Sequence, residues 1–249
     1  AFPEVFNTGY AYSPENYALA EPLDGPTFTW MRQTAARLNA HLAGSILLRD
    51  QTDIYNALLL VAPDGRFWRY NKNYPWGWER AYFRDDHQTV VAHTDLGDIG
   101  LLICWDLGHA DLWNQYAGRV DLMLVCSSPP LITQPTYYLP DGNTLEAKDM
   151  GPVFKDTGSQ VFVQMLAEQT AWLGVPTVYT SHCGQFRSAV PNASQSLALM
   201  VPTAPRLAKL LSIAHKMELT CGMVSGGKIL AADGETQAEQ ALEAGESCL

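Results

Sequence analysis

The chain is poor in the features that mark several large classes of protein. Charged residues fill only 17% of its 249 positions, and the lysines and arginines form no cluster. With a formal net charge of −10, a nucleic-acid partner is not expected. No apolar run approaches the roughly 18 residues a membrane helix needs, so no membrane partner is expected either. The five cysteines (Cys104, Cys126, Cys183, Cys221 and Cys248) are odd in number and scattered, and none forms a Cys-x-x-Cys pair. They indicate neither a zinc site nor a disulfide framework. A reducing, cytoplasmic setting is expected, and Asn192-Ala193-Ser194 is read as a chance glycosylation triplet. Internal repeats and linkers are also missing. What remains is a chain that is 47% hydrophobic, long enough for one large core and read as a single domain over residues 1–249.

Strand and helix patterns alternate along it. Residues 1–10 read as a strand end and turn that leave Glu4 where strand meets loop. Leu23-Asp24-Gly25-Pro26 is turn chemistry, with Asp24 or Thr27 as candidate cap for a helix from Phe28 to Leu42. Strands follow at Ala43–Leu48, Asn56–Val61 and Phe67–Tyr70, the last two joined through Pro63-Asp64-Gly65. Further strands read at Thr89–His93, Asp98–Cys104, Asp121–Cys126 and Val175–Ser181, with helices at Gly108–Arg119 and Gln160–Leu173. Residues 131–158 read as irregular. Within the poorly patterned stretch 184–222, Arg206–Leu219 fits an amphipathic helix. The mixture predicts an α/β layered domain rather than a purely parallel sheet.

The chemistry gathers around Gly100-Leu101-Leu102-Ile103-Cys104-Trp105-Asp106-Leu107. A lone cysteine in an apolar strand is usually core filler. Here the strand runs into a helix, and a helix N-terminus is expected to favour thiolate over thiol. Glu4 and Lys72 also stand at strand ends, which converge on one edge of an α/β sandwich. Together the three residues suit acyl transfer. The thiolate attacks, the carboxylate accepts the thiol proton and later activates water, and the ammonium stabilises charge on the substrate. Neither a metal nor an organic cofactor is needed.

In these motifs the chain resembles the nitrilase superfamily of carbon–nitrogen hydrolases. The resemblance rests on Phe2-Pro3-Glu4 with Thr8-Gly9-Tyr10, on Tyr55-Asn56, Pro63-Asp64-Gly65 and Tyr70-Asn71-Lys72, and on the Cys104 stretch. Gly77-Trp78-Glu79 and the tail Gly226–Ala231 add to it. The resemblance implies a four-layer α-β-β-α sandwich, Cys104 as nucleophile, Glu4 as general base and Lys72 with the Trp105 N–H at the oxyanion. Glu79 would support Lys72. It implies a homodimer or higher homo-oligomer acting on a small-molecule substrate. The expected activity is hydrolysis of a small linear amide through a thioester on Cys104, with nitrile hydrolysis as the alternative. Tyr74, Trp76, Trp78, Tyr82, Phe83 and Ser128 are candidate pocket residues.

The chain departs from the family where Gly108-His109-Ala110-Asp111 follows the nucleophile. Family chains open with a strand and helix before the first motif, so an incomplete record is expected at Ala1. A cysteine peptidase pairing Cys104 or Cys183 with His109 or His182 is weaker, because His182 and Cys183 are neighbours that face opposite sides of a strand. A non-catalytic binding module would require loss of a triad residue, and none is lost.

Overall fold

The computed structural model describes residues 1–9, 18–76, 79–80, 82–128, 136–138, 143–146, 158–182, 184–190, 216–223 and 228–239. In β1 (Leu42–Asp50) and β2 (Asp53–Val61), successive side chains face opposite ways and both sides find apolar partners. Ile46, Leu48, Ala57, Leu59 and Val61 pack with Phe28, Met31 and Ala35 of α1 (Pro26–Leu38). Ala43, Leu58 and Leu60 instead share a core with Tyr70 of β3 (Phe67–Asn71) and with a second sheet.

That second sheet is built from β4 (Val91–Thr94), β5 (Gly97–Ile103), β6 (Leu122–Cys126), β9 (Thr177–Thr180), β12 (Lys228–Leu230) and β13 (Thr236–Glu239). Its order is β13-β12-β9-β6-β5-β4. Strands β5, β6 and β9 are mutually parallel, so their carboxyl ends lie side by side. Helices α2 (Ala110–Tyr116) and α3 (Gly158–Leu173) add Leu112, Trp113, Tyr116 and Leu166 to its core. The layers are helix, three-stranded sheet, six-stranded sheet and helices: the expected α-β-β-α sandwich.

The chain divides into two compact units. The first, Ala1–Ser128 with Phe162–His182 and Ser225–Leu242, holds both sheets just described. The second contains an antiparallel sheet of order β10-β11-β7-β8, from β7 (Thr136–Tyr138), β8 (Thr144–Glu146), β10 (Gly184–Val190) and β11 (Lys216–Met223).

Four local expectations are corrected. Neither Asp24 nor Thr27 caps α1; the Glu21 carboxylate accepts the Thr27 N–H and hydroxyl (2.8 and 2.6 Å), and Gly25 takes the cap position. The helix after Cys104 begins as a five-residue 3-10 turn, Cys104–Gly108, and α2 ends at Tyr116 rather than Arg119. Residues 131–158 contain the strands β7 and β8. Residues 216–219 belong to β11 instead of a helix, and the rest of the Arg206–Leu219 expectation lies outside the described residues.

Candidate active site

The carboxyl ends of β5, β6 and β9 deliver Cys104, Ser127-Ser128 and, two residues beyond Thr180, His182 to one edge of the sheet. Glu4 is tied to that edge through its backbone. Its N–H donates to the Ser127 carbonyl (3.3 Å) and its carbonyl accepts His182 Nε2 (2.6 Å). The facing sheet brings Lys72, just past β3, whose backbone N–H donates to the Asn56 carbonyl (2.9 Å).

Glu4, Lys72 and Glu79 are almost completely buried, at 0%, 1% and 1% exposure. Lys72 Nζ lies 2.7 Å from Glu4 Oε1 and 2.7 Å from Glu79 Oε2. Burial alone would push the ammonium down, but the two carboxylates outweigh it and hold Lys72 well above its usual range. An ammonium has three donors, and these contacts with described residues use two. Glu4 Oε1 also accepts Asn56 Nδ2 (2.8 Å), whereas Glu4 Oε2 is buried with no hydrogen-bond partner among the described residues. Glu79 Oε2 accepts the Trp76 N–H as well (2.6 Å).

Cys104 is buried and sits at φ +47, a left-handed conformation that non-glycine residues seldom adopt. Burial pushes its thiol far above the ordinary range, and the Glu4 charge adds to this. Lys72, the Ser127 hydroxyl and the Ser128 N–H pull the other way without restoring the balance. Burial thus works against the thiolate expected of a helix N-terminus, and only one turn of 3-10 helix follows the sulfur.

Asp106 is a further buried group that sequence patterning passes over. Its Oδ2 accepts the Tyr70 hydroxyl (2.8 Å) and the Ile103 N–H (3.2 Å), and its Oδ1 accepts the Tyr74 N–H (2.8 Å). One carboxylate thus grips both flanks of Lys72 and the residue before Cys104. The available signal was an acidic residue inside an apolar run.

Of the pocket candidates, Tyr74 stacks on His109 (3.5 Å between ring centroids, 3° between planes) and donates its hydroxyl to Asp111. The half-buried Trp105 ring packs on His109 and Phe162. Ser128 is buried beside the thiol, and Tyr82 is exposed. Phe83 packs on the cluster of Val5, Ala20 and Leu47. Trp78 lies outside the described residues.

A buried Glu-Lys-Glu set beside a cysteine, at the carboxyl ends of parallel strands in an α-β-β-α sandwich, marks the nitrilase fold class. The chain belongs to the carbon–nitrogen hydrolase family, which residues 1–196 match. It is similar to the ω-amidase YafV of Escherichia coli K12, 28% identical over 130 residues that cover 51% of this chain and 49% of that protein. It also resembles an (R)-stereoselective amidase of a Pseudomonas species, 31% identical over 107 residues, or 43% and 39% of the two chains. The match thus spans about half the length of the first and less of the second. Among solved structures, the fold is shared with the Xanthomonas campestris superfamily protein XC1258, which carries an arsenic adduct in its active site. There the TM-score is 0.64 and identity 20%, over 96% of this chain and 72% of that one. An amidase from Nesterenkonia sp. aligns with a TM-score of 0.65 at 17% identity, over 98% and 73%.

Proposed function

We propose that the protein is an amidase that hydrolyses a small linear amide through a thioester on Cys104. The observation that carries this reading is the divided carboxylate of Glu4. One oxygen is held by Lys72 and Asn56, the other is buried with no hydrogen-bond partner among the described residues, and the Glu4 charge acts on the buried Cys104 thiol. Glu4 Oε2 takes the Sγ proton as sulfur attacks the carbonyl carbon. The new oxyanion is met by the third Lys72 donor and the Trp105 N–H. Glu4 returns the proton to the departing nitrogen, ammonia leaves and the thioester remains. Glu4 then deprotonates a water that attacks the thioester, releasing carboxylic acid and restoring the thiol. Glu79 fixes the ammonium throughout. The names of the related amidases support an amide substrate, and the aromatic panel of Tyr74, Trp105 and Phe162 supports an uncharged acyl portion.

Ammonia release from a panel of amides, carbamoyl compounds and nitriles, with products weighed by mass spectrometry, tests the proposal. Amide turnover is expected in the wild type and none in Cys104→Ala, with both unfolding at similar temperatures. An undiminished rate in Cys104→Ala would sink it, and acid formed only from nitriles would replace it with nitrilase activity. Retained activity in His109→Ala and His182→Ala, set against loss in Glu4→Gln, excludes a cysteine–histidine peptidase.

A further inference from the structure

Behind the candidate catalytic groups lies a closed hydrogen-bond circuit that no proposed chemical step uses. The Val5 N–H donates to Ser45 Oγ (2.8 Å), the Ser45 hydroxyl donates to Asn56 Oδ1 (2.9 Å), and Asn56 Nδ2 donates to Glu4 Oε1 (2.8 Å). The peptide bond between Glu4 and Val5 closes the ring. Val5, Ser45, Asn56 and Glu4 are all buried.

The direction of donation is forced at every position. A carboxylate only accepts, so the Asn56 amide must turn its nitrogen to Glu4 and its oxygen to Ser45. A backbone N–H only donates, so the Ser45 oxygen must accept from Val5 and pass its own proton to Asn56. The circuit has one consistent sense, and a flipped Asn56 amide would break two of its bonds.

Its placement is equally telling. Alternation along β1 and β2 puts Ser45 and Asn56 on the same side as Ala43, Leu58 and Leu60, the side that packs on the second sheet. Polar side chains there are costly to bury unless paired, and neither is needed for the backbone ladder. Asn56 also reaches the other half of the ion pair, because its carbonyl accepts the Lys72 N–H. Val5, which the circuit grips, is a β-branched residue at φ +43, an unfavourable conformation that persists only where surrounding contacts dictate it.

We infer that Ser45 and Asn56 are positioning residues, which hold Glu4 Oε1 against Lys72 and thereby reserve Oε2 for the proton of the Cys104 thiol. This rests on the proposed role of Glu4 as base. Neither residue donates to the substrate in this arrangement, so their loss is read in kcat and in pH dependence rather than in KM.

Asn56→Asp is nearly isosteric and keeps the acceptor for Ser45, but sets a carboxylate oxygen against Glu4 Oε1 in place of a donor. The acidic limb of kcat/KM, and of Cys104 alkylation by iodoacetamide, is expected to move to higher pH by about one unit or more. Ser45→Ala is expected to lower kcat by up to about tenfold, the upper end of what one neutral hydrogen bond contributes, with KM within about twofold. Ser45→Thr, which keeps the hydroxyl, should recover most of that loss. Thermal melts establish that each variant folds, and the Ser45 pair carries the test if Asn56→Asp does not. Unchanged profiles in Asn56→Asp, an unchanged kcat in Ser45→Ala, or no recovery in Ser45→Thr would overturn the inference. Glu4→Gln separates the two levels. If it is alkylated with the wild-type pH dependence, the base assignment and the inference fail together. If it loses the limb while Asn56→Asp keeps the wild-type profile, only the circuit fails.

Discussion

At the residue scale, the site is assembled around two side chains on unfavourable backbone, Val5 next to the proposed base Glu4 and Cys104 itself. Each such residue costs on the order of 1–3 kcal/mol, which the surrounding contacts must offset. Val5→Gly shows how the balance falls. Glycine relieves roughly 1 kcal/mol of strain but gives up a side chain that is 2% exposed, worth about 1.5–3 kcal/mol before any cavity. A net loss of about 1–3 kcal/mol in urea unfolding is therefore expected, and a more stable variant would show that strain dominates. Lys72 poses the electrostatic counterpart. Lys72→Met leaves the Glu4 and Glu79 carboxylates buried without their shared cation, and breaking such a pair costs about 3–5 kcal/mol. The same change removes the proposed oxyanion donor, so under the proposed function amide turnover should fall by at least about a hundredfold. A melting temperature and rate both close to wild type would count against the ion pair.

At the scale of elements, Asp106 ties the turn after β5 to the loop after β3. Burial pushes its carboxyl up to about 6, against the opposing pull of Lys72 and the donors Tyr70, Tyr74 and Ile103. Because this lies above the ordinary aspartate range near 3.9, the folded protein binds the extra proton between about pH 4 and 6. Its contribution to stability is fully present below that window and lost as pH rises through it, by on the order of 3 kcal/mol. Asp106→Asn lacks this titration. The unfolding free energy of wild type minus that of Asp106→Asn is therefore expected to decline from pH 4 to pH 7, and a constant difference would contradict it. Elements whose pattern is local were legible in sequence: alternation and the Pro63-Asp64-Gly65 turn place β2 and β3 within a few residues of their observed ends. The turn at Cys104 was not, because a buried carboxylate bonding back to Ile103 leaves no periodic trace. The Met217, Leu219 and Cys221 spacing fits a strand as readily as part of a helical stripe, and pairing with β10 decides for β11. Ser45 was hidden for a related reason, since one serine in an apolar strand carries no sign of what it faces.

At the scale of the whole molecule, Glu4, Asn56, Lys72, Cys104 and His182 are drawn together from positions far apart in sequence. Motif resemblance could announce Glu4, Lys72, Glu79 and Cys104, but the groups that hold them emerge only from the packing of sheet on sheet. The C-terminal hairpin is a further such closure. β12 pairs with β9, and β13 completes the edge, through a turn at Gly234. At φ +84 a Cβ on Gly234 would meet the Ala167 carbonyl oxygen and carbon and the Ala171 methyl of α3. Gly174, at φ +72 just past the end of α3, has open space around its Cβ position. The two glycines separate backbone strain from close approach. Gly174→Ala should cost only the left-handed penalty of about 1–2 kcal/mol. Gly234→Ala adds the clash with backbone that cannot swing aside, and should cost at least about 1–3 kcal/mol more as the hairpin lifts from the helix. Equal losses in urea unfolding for the two variants would mean that the hairpin does not seat on α3 through Gly234. The larger loss at Gly234, with faster hydrogen exchange along β12 and β13, would establish that helix and sheet edge close on each other there.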